Sequence, residues 1–345
     1  MDSEPDVAAT PDAADPLVGD QAATGSRQLG LDIAVVFVLA GFIIGVPLAI
    51  NAWTRGAIQQ QYGLTYLSGT LVFFLPLLAC ALLERVLPAA GPHKSLQRSL
   101  LHLQINVCYL IASTVGGILG GTIAAALSRH FGLGLIDFRF ASGKGVLGLI
   151  GAFLLSVLVR DFFFYWYHRS LHRSSFLWQL HKLHHMDREL DVLTAARENW
   201  IDPFLEALLV ALPVTLLFKL DNTSPLIIGA IPGFIIGFLH GNQGTFIHLN
   251  LKLRLGWASV LWCGPQVHRI HHSRLPQHKD KNFAAAFPLW DVLFGTYYAP
   301  ARDEFPPTGV DGEQEIQHLA EAQIFALREW RKMLRTWRRR TAILA

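Results

Sequence analysis

Three long stretches without a charged side chain constrain the fold of this chain more than any other feature. They run from Ile33 to Trp53, from Leu64 to Leu83 and from Val107 to Leu127. Each matches the roughly 20 residues that an α-helix needs to cross the apolar core of a bilayer. Hydrophobic residues make up 52% of the 345 residues and charged residues only 16%, whereas roughly a quarter of an ordinary soluble protein is charged. The sequence therefore predicts an all-α integral membrane protein.

Later apolar segments are shorter, so we expect a bundle of about four to six spans. The uncharged stretch 146–159 is followed by Arg160 and Asp161 and then by an aromatic run. We expect one helix there that continues out of the bilayer. The stretches Ala207 to Phe218 and Pro225 to Leu239 are short for full spans, and they predict either two tight spans or a re-entrant hairpin.

The distribution of positive charge predicts an orientation. If both short segments cross, 24 of the 29 Lys and Arg residues lie on the side of the N-terminus. Basic loops favour the cytoplasmic side. We therefore expect residues 160–202 and the region after Leu239 to face the cytoplasm, from a bacterial cytoplasmic membrane or, in a eukaryote, from the endoplasmic reticulum.

Composition divides the chain into four predicted regions. Residues 1–28 are rich in Ala, Asp and Pro and predict a disordered leader. Residues 29–145 hold the first transmembrane helices, and residues 146–300 form a domain that contains 11 of the 15 histidines. Residues 301–345 form a basic amphipathic tail, which could lie on an anionic lipid surface or dock against the cytoplasmic domain.

Eight of the 15 histidines occur in three short clusters. Histidines three or four residues apart share one face of a helix, so each cluster can direct its rings at one point. A zinc site needs only about four ligands, so this number suits two metal ions. The clusters are His168-Arg-Ser-Leu-His172, His181-Lys-Leu-His184-His185 and His268-Arg-Ile-His271-His272.

Other histidines and one carboxylate complete the predicted centre. His240 and His248 lie between the second and third clusters and are further candidate ligands. Asp161 lies seven residues before His168 on the same helix face, where a carboxylate can accept the ring N–H of a ligand; a pair with Arg160 is the alternative. The isolated histidines are expected in solvent or loops: His93, His102, His130, His278 and His318.

An all-imidazole site does not specify its metal, because zinc, copper, iron and nickel all accept imidazole. The chain has no haem-attachment motif and no Rossmann glycine pattern, so electrons for a redox reaction would come from a separate protein. A zinc-dependent membrane hydrolase is an alternative, although the motif H-E-x-x-H is absent. A metal transporter is another, although its ligands would be expected within the spans.

Further motifs accompany the histidines in a fixed order. The series is Asp161-x6-His168-x3-His172, His181-x2-His184-His185, His248-x-Asn250, Pro265-x2-His268-x2-His271-His272, Asp280-Lys-Asn282-Phe and Trp290-Asp291-x2-Phe294-Gly295-Thr296. It resembles the sterol desaturase and fatty acid hydroxylase superfamily. Acyl-CoA desaturases also have three histidine boxes, but their first two are far apart, whereas eight residues separate His172 from His181 here.

The resemblance implies a non-haem di-iron centre at the cytosolic face of a helical bundle, with a helical cap. Such a centre uses dioxygen and supplied electrons to hydroxylate or desaturate a lipid C–H bond. The lipid would be a sterol, fatty acyl, carotenoid or related molecule, and the donor a ferredoxin-, cytochrome b5- or reductase-like protein. No nucleic acid partner is expected.

The resemblance also implies that the eight clustered histidines and His248 are metal ligands, and His240 is a further candidate ligand among the ten histidines between residues 168 and 272. It places Asp161 and Asn282 in the catalytic site. One departure concerns Asn199: relatives often have Arg-x-His-Pro where this chain has Arg197-Glu198-Asn199-Trp200. Asn199 could hydrogen-bond to a ligand or to a metal-bound water in place of that histidine.

Overall fold

The computed structural model describes residues 79–87, 89–137, 145–218 and 243–344. Within these ranges the protein is mostly helical and has isolated β-bridges but no strand, which confirms the all-α class for the described part. A helical segment covers residues 79–86. The later α-helices are α1 (Leu96–Phe131), α2 (Gly145–Arg173), α3 (Trp178–His185), α4 (Asp202–Glu206), α5 (Leu212–Leu217), α6 (Gly244–Ile247), α7 (Pro265–His271), α8 (Leu289–Leu293) and α9 (Leu319–Leu344).

Two described helices are long and apolar enough to cross a membrane by length and composition. They are α1 and the Ile150–Arg173 part of α2. Large apolar side chains along α1 remain 44–62% exposed, as expected of a helix that faces lipid. These side chains are Val107, Leu110, Ile111, Val115, Leu119 and Ile123.

The remaining predicted spans fall largely outside the described residues. This applies to Ile33–Trp53, to most of Leu64–Leu83 and to Pro225–Leu239. The predicted segment Ala207–Phe218 is described, and it is helical up to Leu217 through a π-helical turn at Ala207–Ala211. The choice between two spans and a hairpin therefore stays a prediction.

Helix α2 confirms the prediction of one continuous helix. It carries the uncharged stretch 146–159, the polar pair Arg160 and Asp161, and then the first two histidines without interruption. Arg160 pairs with Glu206 of α4 in the protein interior. The pair holds α2 against the segment that precedes the π-helical turn.

Glycines of α1 allow it to approach α4 closely. A Cβ on Gly116 would lie 3.2 Å from the carbonyl oxygen of Pro203, and a Cβ on Gly120 would lie 3.4 Å from the Cβ of Ala207. Such close helix contacts are typical of small residues spaced four apart in membrane proteins.

A buried network of charges joins the start of α1 to the segment after α3. The Nζ atom of Lys94 lies 2.9 Å from Asp187 and 2.6 Å from Asp191. Burial would raise the pKa of Asp187, but the Lys94 ammonium, helped by His102 and Arg197, holds that pKa well below its ordinary value. Because the Lys94 ammonium contacts both carboxylates, this charged network stabilises the fold beside the histidines.

Candidate metal centre

Nine histidines gather in two groups inside the helical domain. Within each group, one nitrogen of every ring lies within 4.8 Å of the corresponding nitrogens of the others. All eight histidines of the three sequence clusters take part, together with His248. We name the groups cluster A, which contains His168, His172, His181, His185 and His271, and cluster B, which contains His184, His248, His268 and His272.

Helices α3 and α7 each supply both clusters. On α3, His184 belongs to cluster B while the other two histidines of the motif belong to cluster A. On α7, His271 belongs to cluster A while the histidines on either side belong to cluster B. Neighbouring residues on a helix differ in direction by about 100°, so a single helix can serve two adjacent centres.

The Nε2 atoms of cluster B have the spacing of ligands around one ion. His248 lies 3.1 Å from His184, 3.0 Å from His268 and 3.2 Å from His272, each measured between Nε2 atoms. A nitrogen of an imidazole has one donor or acceptor position, so hydrogen bonding explains at most one of these contacts. Nitrogens about 2.1 Å from a metal and at right angles to one another are about 3 Å apart.

Cluster A contains buried nitrogens that lack a partner. The Nε2 atoms of His172, His185 and His271 make no hydrogen bond to any described residue. Leaving such an atom unsatisfied in the interior costs about 1–3 kcal/mol. The Nε2 atoms of His168 and His181 are 2.9 Å apart, so this cluster also has the convergence that a metal ion requires.

Backbone carbonyls orient three of the rings. A carbonyl oxygen can only accept, so the Nδ1 atom facing it must carry the proton, which leaves the Nε2 lone pair available for a metal. The three pairs are His168 with Phe283 (2.7 Å), His271 with Lys281 (2.8 Å) and His248 with Gly244 (2.6 Å).

One carboxylate contacts both clusters. The Oε1 atom of Glu198 lies 3.2 Å from Nδ1 of His181 and 3.3 Å from Nδ1 of His184, so it reaches one ring of cluster A and one of cluster B. Burial raises the pKa of Glu198 well above its ordinary value, and Glu206 adds to the rise. Nearby cations would oppose that rise because they favour the carboxylate form.

Sequence reasoning missed Glu198, although it named the neighbouring Asn199. The amide of Asn199 donates to the carbonyl oxygen of Gln323 (3.4 Å), and its Oδ1 atom accepts the N–H of Ile201 (3.0 Å). The described hydrogen bonds of the Asn199 side chain are therefore made with backbone groups, and none of them is made with an imidazole. A ligand histidine usually gives its second N–H to a carboxylate or carbonyl, and this rule was the available signal for Glu198.

Asp161 makes contacts that differ from the expected bond to an imidazole. Its carboxylate accepts backbone N–H groups from Ala285 (3.2 Å), Ala286 (3.0 Å) and Phe287 (2.7 Å). The face of α2 that carries Asp161 lies against this loop. Because the same loop includes Phe283, whose carbonyl orients a ring of cluster A, Asp161 acts on the centre only indirectly.

Asn282 also acts through the backbone. Its φ of 56° is in the left-handed region, which Asn tolerates better than most residues. Its amide donates to the carbonyls of Val267 and Tyr298, both at 3.1 Å, and its Oδ1 atom accepts the N–H of Tyr298 at 2.8 Å. The carbonyls on either side of it, of Lys281 and Phe283, are the ones that orient two rings of cluster A.

Six histidines lie outside clusters A and B, and five of them are among the described residues. His240 lies outside the described residues. His93, His130 and His318 are exposed as expected. The expectation was wrong for two buried residues: His102 packs beside Asp187 in the charged network, and His278 contacts Ser273 and Glu304.

Burial keeps the clustered rings neutral at pH 7. It lowers the pKa of His181 and His248 to about 4 and that of His271 to about 3. Burial, with repulsion from neighbouring rings, also holds the pKa well below its ordinary value for His184, His185, His268 and His272. Neutral imidazole is the form that binds metals.

The geometry defines a class: a helical protein with a candidate dinuclear centre built from imidazoles. Comparison with protein families matches residues 153–296 to the fatty acid hydroxylase family. Residues 153–296 therefore match a fatty acid hydroxylase domain, and this match supports the resemblance of the chain to the sterol desaturase and fatty acid hydroxylase superfamily.

Several curated proteins are similar to this chain. An ornithine lipid hydroxylase of Rhizobium tropici is 31% identical over 176 residues, which cover 50% of each chain. An alkylglycerol monooxygenase of Danio rerio is 31% identical over 152 residues, 44% of this chain and 31% of the relative. A very-long-chain aldehyde decarbonylase of Oryza sativa subsp. indica is 25% identical over 168 residues, 46% of this chain and 25% of the relative.

The chain thus spans half or less of the length of these relatives. No solved structure matches it.

Proposed function

We propose that this protein is a membrane-bound oxidoreductase that hydroxylates a C–H bond of a lipid. Dioxygen is the oxidant, and a separate protein supplies the electrons. The observation that carries this proposal is the pair of adjacent buried clusters, with nine convergent imidazoles between them. The names of two relatives, an ornithine lipid hydroxylase and an alkylglycerol monooxygenase, favour hydroxylation over desaturation.

Clusters A and B would each hold one iron ion, and His240 is a candidate tenth ligand. Bound iron supplies the activation of dioxygen, which amino-acid side chains cannot perform. The reaction consumes the C–H bond, one dioxygen, two electrons and two protons, and it yields one alcohol and one water. All-nitrogen ligands accept iron among several metals, and the family resemblance favours iron.

The protein's own residues hold the rings and exclude water. Carbonyl oxygens fix the orientation of three imidazoles, as partners of metal ligands commonly do, and the Glu198 carboxylate lies beside two more. Aromatic rings enclose cluster A: the Trp178 ring is 5.0 Å from that of His172, and the Phe283 ring is 5.2 Å from it. An apolar surrounding of this kind limits the access of water to the centre.

The substrate would enter from the bilayer. The outward apolar side chains of α1, and the aromatic run that leads to His168 on α2, lie on helices suited to a lipid environment. A lipid with a long acyl or alkyl chain could therefore reach the centre without leaving the membrane. The positive charge on the histidine side orients that side toward the cytoplasm.

The electron donor would be an acidic redox protein of the ferredoxin, cytochrome b5 or reductase type. His172 is the one ring of cluster A that is only half-buried, and the exposed Arg173 follows it directly. Arg173 pairs with Asp280, next to the exposed Lys279. Positive charge beside the least buried ligand favours the approach of a negatively charged partner.

The test is lipid analysis under isotopically labelled dioxygen. Cells that express the chain, with matched cells that lack it, would be grown under ¹⁸O₂, and lipids compared by mass spectrometry. We expect a hydroxylated lipid that contains ¹⁸O only in expressing cells. The His184→Ala variant should make none, and His318→Ala should match the parent protein. Oxygen derived from water, or purified active protein free of iron, would contradict the proposal.

A further inference from the structure

The C-terminal helix α9 has two parts with different surroundings. In its first part, Phe325 and Ala322 are buried against a core that includes Ile105 of α1. Trp330 stacks on Phe176 with ring centroids 4.6 Å apart and donates its N–H to the carbonyl oxygen of that residue. The helix therefore docks on the protein up to about Trp330.

The second part of α9 presents apolar side chains outward. Leu334 is 55% exposed and Trp337 is 63% exposed. Together with Leu327 they are spaced by seven and three residues, so they form one stripe on the helix surface. Trp330 lies four residues before Leu334 on the same face of the helix, so the stripe continues the face by which α9 docks on the protein. A continuous exposed apolar stripe of this kind marks an interaction surface.

After Glu329, which pairs with Lys332 at 2.7 Å, the charges beside that stripe have one sign. In the first part Arg328 is paired with Glu321 (3.2 Å) and Glu329 (3.4 Å). No acidic residue follows Glu329 in the sequence. The cations that follow it are Arg331, Lys332, Arg335, Arg338, Arg339 and Arg340.

The position of α9 along α1 indicates what covers the stripe. Leu101 and Ile105 of α1 pack in the same core as the docked part of α9. They directly precede Val107, where the uncharged stretch of α1 begins. The docked part of α9 therefore lies near the level at which α1 would enter the bilayer.

We propose that residues 331–340 of α9 lie on a surface of anionic phospholipids, with Leu334 and Trp337 inserted at the boundary of the headgroups. An apolar stripe flanked by Lys and Arg is the arrangement that binds such surfaces. The contact anchors the C-terminal end of the domain beside the membrane. It does not depend on the hydroxylase activity proposed above.

The experiment uses the full chain in lipid nanodiscs, of phosphatidylcholine alone or mixed with phosphatidylglycerol. Leu334→Cys carries a polarity-sensitive fluorophore, and nitroxide-labelled lipids report its contact with the membrane. Asp303→Cys, at an exposed loop position, is the matched label, and unsubstituted protein measures any labelling of the native cysteines. We expect strong quenching of the label at position 334 only in discs that contain phosphatidylglycerol.

Charge variants separate the lipid surface from other occupants. Replacement of Arg331, Arg335 and Arg338 by Gln should reduce the quenched fraction about tenfold. Replacement of Arg274, Lys279 and Arg302 by Gln, which removes the same charge elsewhere, should not change it. Salt should also release the contact, because screening shortens from about 10 Å at 0.1 M to about 3 Å at 1 M.

Two results would overturn the proposal. One is a label at position 334 that stays as accessible to water as the label at position 303 in discs with phosphatidylglycerol. The other is protection that needs two protein copies per disc, which would identify a second copy of this chain as the partner.

Discussion

Clusters A and B contain the same kind of ligand but are assembled from different parts of the chain. Four of the five histidines of cluster A lie within residues 168–185, and only His271 comes from later in the chain. Three of the four histidines of cluster B lie within residues 248–272, and only His184 comes from the earlier part. Cluster A is therefore built mostly from residues that are close in sequence. Cluster B forms only when the segment after α5 packs against α3.

The clusters also differ in burial and in ligand number. Every ring of cluster B is buried, whereas His172 of cluster A is half-buried beside Trp178. Cluster A has five imidazoles and cluster B four. An ion in cluster A can lose one ligand and still keep four, so we expect the two clusters to respond differently to the same substitution.

Removal of one ligand from each cluster tests this difference and should have the largest effect. His272→Ala leaves three imidazoles in cluster B, and His185→Ala leaves four in cluster A. We expect both variants to lose more than about a hundredfold in activity, since replacing a residue that only hydrogen-bonds to a metal ligand already costs up to about that much. Titration with a chelator should remove metal from His272→Ala at a lower chelator concentration than from His185→Ala. Elemental analysis of His272→Ala should then find about one ion per chain.

The unaltered cluster serves as the control for folding, because a misfolded variant would lose both ions. His318→Ala, at an exposed position, should keep both. Equal metal loss from the two ligand variants would show that the clusters do not differ in the proposed way.

Substitution of Glu198 should weaken both clusters together. Glu198→Gln keeps the size of the side chain but removes the carboxylate that lies beside His181 and His184. We expect metal affinity to fall about 10- to 100-fold at both sites, as for other partners of metal ligands. Chelator competition on the whole protein measures this fall. Glu321→Gln, which disturbs an exposed pair with Arg328, should leave affinity unchanged, and an effect of Glu198→Gln on one cluster alone would contradict the shared role.

Substitution of Asn282 should affect cluster A more than cluster B. Asn282→Ala removes buried hydrogen bonds to Val267 and Tyr298 and places alanine at a φ of 56°. We expect a loss of about 2 kcal/mol in the free energy of unfolding, measured by thermal denaturation in detergent. Asn282→Gly should lose less, because glycine adopts this φ without strain. A greater metal loss from cluster B than from cluster A would be inconsistent with the contacts of the Lys281 and Phe283 carbonyls to rings of cluster A.

The smallest expected effect concerns pH and the segment that follows His248. The carboxylate of Glu84 accepts the N–H of Asn250 at 2.7 Å, and burial raises the pKa of Glu84 to about 7. In the unfolded chain its pKa is near 4.5, so the folded state binds the extra proton. Stability from this group is complete below pH 4.5 and is lost as pH rises through 7.

Comparison with Glu84→Gln isolates that contribution. Between pH 5.5 and 7 the parent protein should lose roughly 1.5 kcal/mol relative to the variant. Thermal denaturation at several pH values measures the difference. A constant difference across this range would show that the folded pKa of Glu84 is not raised.

Helix periodicity and residue type were sufficient to predict much of the candidate metal centre. The i, i+3 and i+4 spacing of the histidines predicted which rings share a helix face, and α2, α3 and α7 confirm helices at these positions. Uncharged length predicted the spanning character of α1. These properties are local, because they follow from the geometry of one helix.

Local spacing could not predict how the motifs divide between two centres. His181 and His184 share a motif but belong to different clusters, because the direction of each ring depends on where α2 and α7 pack against α3. The contacts of Asp161 and Asn199 differ from the expected ones, and those of Asn282 could not be predicted, for the same reason. Each of these polar groups bonds to the nearest backbone groups, which come from segments that are distant in sequence.

The sequence by itself indicated the class of this protein: a helical protein with candidate membrane spans and with enough imidazoles, in the right order, for two metal ions. Only the tertiary structure decided which ring belongs to which cluster, that Glu198 contacts both, and that α9 docks in one part and projects in the other. Residue type and spacing set what each helix can bind, whereas packing between distant segments sets which nitrogens and oxygens come within bonding distance.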